Sequence, residues 1–230
     1  MQLAVVIPTL NAEGPLGRVL KQVAGVGRVV VADGGSEDGT LRVALRAGAV
    51  VASGSAGRGQ QLRRGCAFAL DPMDEDAAWL LVLHADTVLP ENWQALVELH
   101  VREAPDRAAY FGYRADGEWW ERLVLENAVR LRELAWGLPY GDQGLLVSAA
   151  LFREVGGFHA MSLFEDVDIV TRLKRHHGRL AKLGGAVTTD ISLYRREGLF
   201  RRGARNLALL RAYRHGENPE ELAKRYRARQ

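Results

Sequence analysis

The stretch Leu80-Leu81-Val82-Leu83-His84-Ala85-Asp86-Thr87 passes directly from an apolar run into an imidazole and a carboxylate. The run is short enough for a buried strand. In an open α/β sheet, ligands sit at the carboxyl ends of strands. His84 and Asp86, one residue apart at such an end, bring donor types that hold a hard divalent cation and the phosphates it carries. The segment points to an enzyme acting on a phosphorylated or nucleotide-linked substrate. The plainer reading is a strand ending in turn residues, with Asp86 capping the helix after Pro90.

The flanking segments decide between these. Residues 3–7 read as a buried strand, and Leu16, Val19, Leu20 and Val23 recur at helical spacing. Residues 28–32 give a second β-branched run, 40–47 a helix and 49–52 a third strand. A glycine-rich loop over 54–59 opens a helix over 60–70, and the polar turn 71–76 precedes the strand ending at His84. This alternation predicts parallel βαβ units with right-handed crossovers. Further on, the pattern predicts helices over 92–103, 119–136 and 164–175, strands over 108–115 and 145–148, and a helix ending at Gly156-Gly157. Amphipathic helices are expected over 199–213 and 219–229.

The 230 residues, 47% apolar and 26% charged, describe a soluble globular α/β protein. Cys66, the single cysteine, excludes an internal disulfide framework and fits a reducing cytoplasm. Leu3-Ala4-Val5-Val6-Ile7-Pro8 reads as a first strand rather than a signal peptide, and no stretch approaches the ~20 apolar residues of a membrane span. From Arg195 onward, ten Arg and one Lys face four Glu, an excess of +7 that leaves −4 on residues 1–194. Such a tail suits an anionic membrane surface, nucleic acid or substrate phosphates, and equally a solvated helix face.

Three strand ends present polar loops: Thr9-Leu10-Asn11, Asp33-Gly34-Gly35-Ser36 and His84-Ala85-Asp86-Thr87. In a parallel sheet they share one edge and converge on one crevice. Asp33, followed by two glycines, is placed to accept from a ribose hydroxyl or a base N–H. Ser36 to Thr40 alone would be a helix cap. Gly57-Arg58-Gly59-Gln60-Gln61 lacks a Walker ending, yet Arg58 beside a helix start suits a phosphate or a base. Gly141-Asp142-Gln143-Gly144 suits a hydroxyl-rich acceptor or a plain tight turn. Glu165, Asp166 and Asp168 open a helix, where acids are favoured by the dipole alone, but transfer to a hydroxyl also needs a carboxylate base. Trp119, Trp120 and Trp136 at helical spacing read as core, as does Cys66, and His176-His177 as a helix-end pair rather than a metal site.

The order of motifs resembles family 2 glycosyltransferases. It runs from Val6-Ile7-Pro8-Thr9-Leu10-Asn11-Ala12-Glu13, through Val31 to Thr40, to Asp86 and Glu165-Asp166. Leu83 to Thr87, Gly141 to Gly144 and Tyr194-Arg195-Arg196-Glu197-Gly198 are most similar to a small bacterial subgroup, the arsenosugar-biosynthesis-associated (radical-SAM/selenodomain-associated) glycosyltransferase-like proteins. The resemblance covers almost the whole chain. It implies a GT-A-type nucleotide-binding α/β/α sandwich, with a mostly parallel central sheet and C-terminal amphipathic helices. Residues 1–198 would form the catalytic domain, with a nucleotide-binding half (1–104) and an acceptor half (105–198). A basic helical extension (199–230) would pack on it.

The implied reaction moves a sugar from a nucleotide diphosphate donor to an acceptor hydroxyl, inverting and non-processive, with Mg²⁺ or Mn²⁺ neutralising the leaving diphosphate. By the same similarity Asp86, with His84, would hold the metal. Thr9, Asn11, Glu13, Asp33, Gly34, Arg58 and Gln61 would hold the nucleotide, and Asp142, Gln143 and Arg195 the acceptor. Asp166 would be the general base, with Glu165 orienting it. Two positions depart from the family's pattern: His84 replaces the first metal-motif acid, and Gly34 the usual second aspartate. The Gln-x-x-Arg-Trp motif of processive members is absent, with only Tyr194-Arg195-Arg196 near its place.

The expected partners are the donor and a small-molecule or lipid-linked acceptor, without nucleic acid. A cytoplasmic location is expected, with peripheral membrane contact through the basic helices, or a homodimer, left open. Two other readings are a nucleotide-sugar binding protein without chemistry and a sugar-phosphate nucleotidyltransferase. The second lacks its basic glycine-rich signature, since the loop after the first strand is Pro-Thr-Leu-Asn-Ala-Glu-Gly-Pro.

Overall fold

The computed structural model describes residues 1–74 and 77–227, so the end of the turn expected over 71–76 and of the helix expected to 229 lie outside the described residues. The strands are β1 (Gln2–Thr9), β2 (Arg28–Asp33), β3 (Val50–Val51), β4 (Ala78–Val82), β5 (Ala109–Asp116), β6 (Leu145–Ser148) and β7 (Ala181–Asp190). The helices are α1 (Glu13–Gln22), α2 (Thr40–Arg46), α3 (Arg58–Leu70), α4 (Trp93–Glu103), α5 (Trp119–Trp136), α6 (Ala149–Glu154), α7 (Glu165–His177), α8 (Ser192–Glu197), α9 (Leu199–Arg214) and α10 (Pro219–Arg227).

The apolar run that opened the sequence reading is β4, buried over its whole length at the centre of one seven-stranded sheet. The sheet order is β3-β2-β1-β4-β6-β5-β7. Only β6 runs against its neighbours, pairing antiparallel with β4 and β5. The carboxyl ends of all the other strands therefore meet at one rim. The start of β6 joins them there, because Leu145 pairs with Val82. A single sheet thus runs through both halves expected from sequence.

Alternation along the buried strands feeds two apolar layers. Val6, Ala32, Leu80 and Val147 face Leu62 and Cys66 of α3 and Ile169 and Leu173 of α7. Val5, Ile7, Leu81 and Phe111 face Leu16 and Val19 of α1 and Trp93 and Val97 of α4. The result is the expected α/β/α sandwich. The C-terminal extension is anchored by Leu210, which joins the first layer.

Two local expectations fail, and two elements escape the sequence pattern. The strand stops at Val82 rather than His84, because the chain turns where Thr87 N–H meets the His84 carbonyl at 3.3 Å. The strand β7 and helix α8 had no clear signal. Trp119 and Trp120 are 75% and 45% exposed rather than core. Cys66 is buried as expected, and burial pushes its thiol up.

The sheet's approach to α3 depends on Gly65, where a Cβ would lie 2.7 Å from Ala32 Cβ and 2.9 Å from Val6 Cγ1. Gly65→Ala is expected to cost about 1–3 kcal/mol by overpacking, read from urea unfolding. Gly14→Ala, in open space on α1, should be neutral or slightly stabilising.

Candidate active site

Thr9 and Asp33 lie side by side at the ends of β1 and β2. The Asp33 carboxylate accepts from Thr9 Oγ1 (3.1 Å), Ser36 Oγ (2.5 Å) and the backbone N–H of Gly35 (2.8 Å) and Ser36 (2.9 Å). Burial alone would raise its pKa, but these donors together hold it below the usual carboxylate value. All four acceptor positions are in use. A bond to ribose or base, as expected from sequence, requires one of them to open.

Helix α3 props this loop from beneath. Gln61 Nε2 donates to the carbonyls of Thr9 (2.7 Å) and Ala32 (3.0 Å), and Arg64 Nη2 to that of Asp33 (2.7 Å). Gly34 is glycine for this reason: a Cβ there would sit 2.9 Å from the Gln61 amide carbon. Asn11 and Glu13 lace the first two loops together from outside. The Asn11 side chain accepts from Glu37 N–H (2.9 Å) and Glu13 from Gly39 N–H (3.0 Å). Of the expected nucleotide residues, Gln61, Asn11 and Glu13 brace the loops in this arrangement.

The remaining groups converge around Gly141. A Cβ at that glycine would come within 3.0 Å of His84 Nε2, 3.1 Å of Arg58 Nη2 and 3.3 Å of Asp166 Oδ2. Arg58 Nε pairs with the buried Glu165 at 2.6 Å, and its Nη2 abuts His84 Nε2. Burial, aided by the Arg58 charge, lowers the His84 pKa well below its ordinary value, so the ring is neutral. Its Nε2 faces the guanidinium, and its Nδ1 lies 4.0 Å from Asp86 Oδ1. Asp86 keeps a half-exposed carboxylate and caps no helix, since α4 starts behind Asn92. Burial raises the Asp86 pKa, and Asp190 at the end of β7 adds to the rise. Asp190 is a rim carboxylate that the sequence reading missed.

Asp166 Oδ2 accepts from Gly141 N–H at 2.7 Å. Asp142 is half-buried beside it, and its enclosed Oδ1 has no hydrogen-bond partner among the described residues. Burial raises its pKa, and the neighbouring carboxylates Asp166 and Asp86 add to the rise. Asp168, third of the acidic trio, is tied to Arg172 (2.5 Å) and His159 (3.0 Å), a structural role. Glu165 is held above its usual range, to about 7, because burial outweighs the opposing pull of Arg58.

Two expected acceptor residues lie differently. Gln143 is fully enclosed: its Nε2 donates to Phe111 O (3.1 Å) and Glu133 Oε1 (2.6 Å), while its Oε1 accepts from Arg132 (2.9 Å). It fixes the turn and presents nothing to a substrate. Arg195 clamps Glu121 through two nitrogens, the closer at 2.6 Å, joining α8 to α5. His176 and His177 both face Glu154, at 3.7 and 3.0 Å.

The fold and the rim define a GT-A-type glycosyltransferase. The chain belongs to glycosyl transferase family 2, whose family model matches residues 4–163. No curated protein matches it in sequence. Among solved structures it is similar to glucosyl-3-phosphoglycerate synthase from Mycobacterium tuberculosis in complex with Mn²⁺, UDP and glucosyl-3-phosphoglycerate, with 18% identity and TM-score 0.60 over 90% of this chain and 78% of that one. Mannosyl-3-phosphoglycerate synthase from Rubrobacter xylanophilus gives 21% and 0.59 over 94% and 75%. S. aureus TarS 1–349 with UDP-GlcNAc gives 15% and 0.62 over 83% and 58%. At these identities the likeness is one of fold.

The depressed Asp33 pKa carries a pH signature. A carboxylate lowered in the folded state adds stability above its unfolded pKa of about 3.9, and loses it as pH falls through the folded value. In urea unfolding across pH, wild type should therefore exceed Asp33→Asn most at neutral pH, the gap closing below about pH 4. A gap that stays constant would contradict the anchoring role.

Proposed function

We propose that this chain transfers a sugar from a nucleoside diphosphate donor to the hydroxyl of a small or lipid-linked acceptor, with inversion and one sugar per encounter. The observation that carries this is the convergence at Gly141. The proposed base, Asp166, and the proposed metal-side residue His84 both approach Gly141 beside Arg58, and Asp86 lies 4.0 Å from the far side of the His84 ring. The motifs Leu83 to Thr87 and Gly141 to Gly144 support placement in the arsenosugar-associated subgroup.

The donor set fits a divalent cation. Mg²⁺ and Mn²⁺ are held by one or two carboxylates and complete their shells with phosphates and water. Asp86 offers exposed oxygens of that kind beside the neutral imidazole of His84. Among the described residues, no group of three or more His, Cys, Asp or Glu is placed to hold a metal by protein donors alone. A bound cation would neutralise the charge developing on the leaving diphosphate. The Mn²⁺ and UDP in the glucosyl-3-phosphoglycerate synthase complex support this choice of cofactor and donor.

The chain's own residues supply the rest. Asp33 and Gly34 shape the nucleoside loop, and Arg58 holds Glu165 in place beside the base. Asp166 is fixed by Gly141 N–H with lone pairs to spare. It takes the proton of the acceptor hydroxyl as that oxygen bonds to the anomeric carbon, and the bond from that carbon to the diphosphate oxygen breaks. Asp142, half-buried beside Asp166, is the carboxylate assigned to the acceptor hydroxyl, with an enclosed Oδ1 that has no partner among the described residues.

Thermal-shift titration with nucleoside diphosphates and Mn²⁺ is expected to stabilise wild type with one base, and Asp86→Ala not at all. Asp166→Asn should keep the shift but slow transfer by about 10²–10⁴-fold, the usual worth of a general base. Normal turnover by that variant would remove Asp166 from the mechanism.

A further inference from the structure

Helix α5 buries two carboxylates beside Leu125 and turns most of its large apolar side chains outward. Its buried side holds Glu121 and Glu133, matched by Arg195 at 2.6 Å and Lys182 at 2.8 Å from other elements. Its outward side carries Trp120, Leu123, Leu131 and Leu134, which at 100° per residue fall within about 80° of arc. Leu131 and Leu134 are 66% and 60% exposed. Interrupted once, by the exposed Asn127, this apolar stripe along an 18-residue helix about 27 Å long is more than an isolated surface leucine requires.

Two features identify what covers it. Helix α9 runs alongside: Leu199 at its start packs in the small cluster with Leu125 of α5, and Arg214 at its end lies 5.7 Å from the Trp136 ring. This neighbour carries exposed Arg201, Arg211 and Arg214, part of the +7 excess, and Phe200 at 76% exposure. A second copy docked through this side would bring two such basic segments together. An anionic bilayer complements them, and Trp, Phe and Leu beside Arg are what an interfacial helix presents to lipid.

We infer that the α5 face, flanked by the arginines of α9, docks on an anionic lipid surface. The stripe starts at Trp120, four residues beyond the rim end of β5 at Asp116, with the exposed Trp119 beside it, so docking sets the active-site rim at the headgroup level. The docking stands apart from the chemistry. Only its consequence, delivery of a lipid-linked acceptor hydroxyl to Asp166, rests on the proposed reaction.

The test is co-sedimentation of the full chain with vesicles of phosphatidylcholine alone, or with about a third phosphatidylglycerol, at low and high salt. Wild type should pellet with the anionic vesicles only, and lose this in high salt. Leu131→Ser/Leu134→Ser should lower the bound fraction tenfold or more, while Leu45→Ser, an exposed leucine on α2, should leave it unchanged. Melting temperatures near wild type would show both variants folded, and an unaltered nucleotide shift would separate docking from donor binding. Three results would overturn the inference: no anionic-vesicle binding, binding that the double variant keeps, or a solution dimer that the double variant dissolves.

Discussion

The ion pair between Arg58 and Glu165 joins the two halves of the molecule. Arg58 opens α3, which supports the loops after β1 and β2, and Glu165 opens α7, which carries Asp166. Glu165 is buried, so removing Arg58 takes away the cation that opposes its desolvation and drives the carboxyl to its neutral form. The same guanidinium adds to the burial that keeps His84 neutral, and it sits next to Gly141. One side chain therefore touches both His84 at the end of β4 and Glu165 at the start of α7.

The supports behind this centre are local constraints of unusual number. Phe164, just ahead of Glu165, is a non-glycine residue at φ +66, a conformation that costs on the order of 1–3 kcal/mol. It is held by stacking on Tyr213 of α9, with ring centroids 5.0 Å apart. The C-terminal extension thus steadies the start of α7 as well as covering the sheet. Gly59 N–H bonds the Met161 carbonyl at 3.2 Å, and a Cβ on Gly59 would meet the His159 carbonyl at 2.5 Å. Glycine there lets the segment before Phe164 lie directly on α3.

The sandwich and its rim were legible because β1, β2 and β4 are buried on both faces and read as continuous apolar runs broken by Asn, Asp or His. The strand β7 was not, since it lies at the sheet edge and mixes Lys182, Gly184, Gly185 and two threonines with few apolar residues. With it went Asp190, whose place at the rim follows only from pairing with Asp116. Trp119 and Trp120 were misread because spacing shows that residues share a face, not which face turns inward, whereas Trp136 packs against the core. The carboxylates that the helix buries beside Leu125 find their partners on β7 and α8, more than forty residues away in sequence. Gln143 looked like a ligand residue for a related reason: only the folded chain shows that Phe111, Arg132 and Glu133 claim its amide.

The most direct measurement is anomalous diffraction from crystals grown with Mn²⁺ and the nucleoside diphosphate that binds. Asp86 on the ion, the diphosphate between Arg58 and Asp86, and the base against the Asp33–Ser36 loop are the expected result. An ion bound away from Asp86, or a nucleotide outside the cleft around Gly141, would contradict the account.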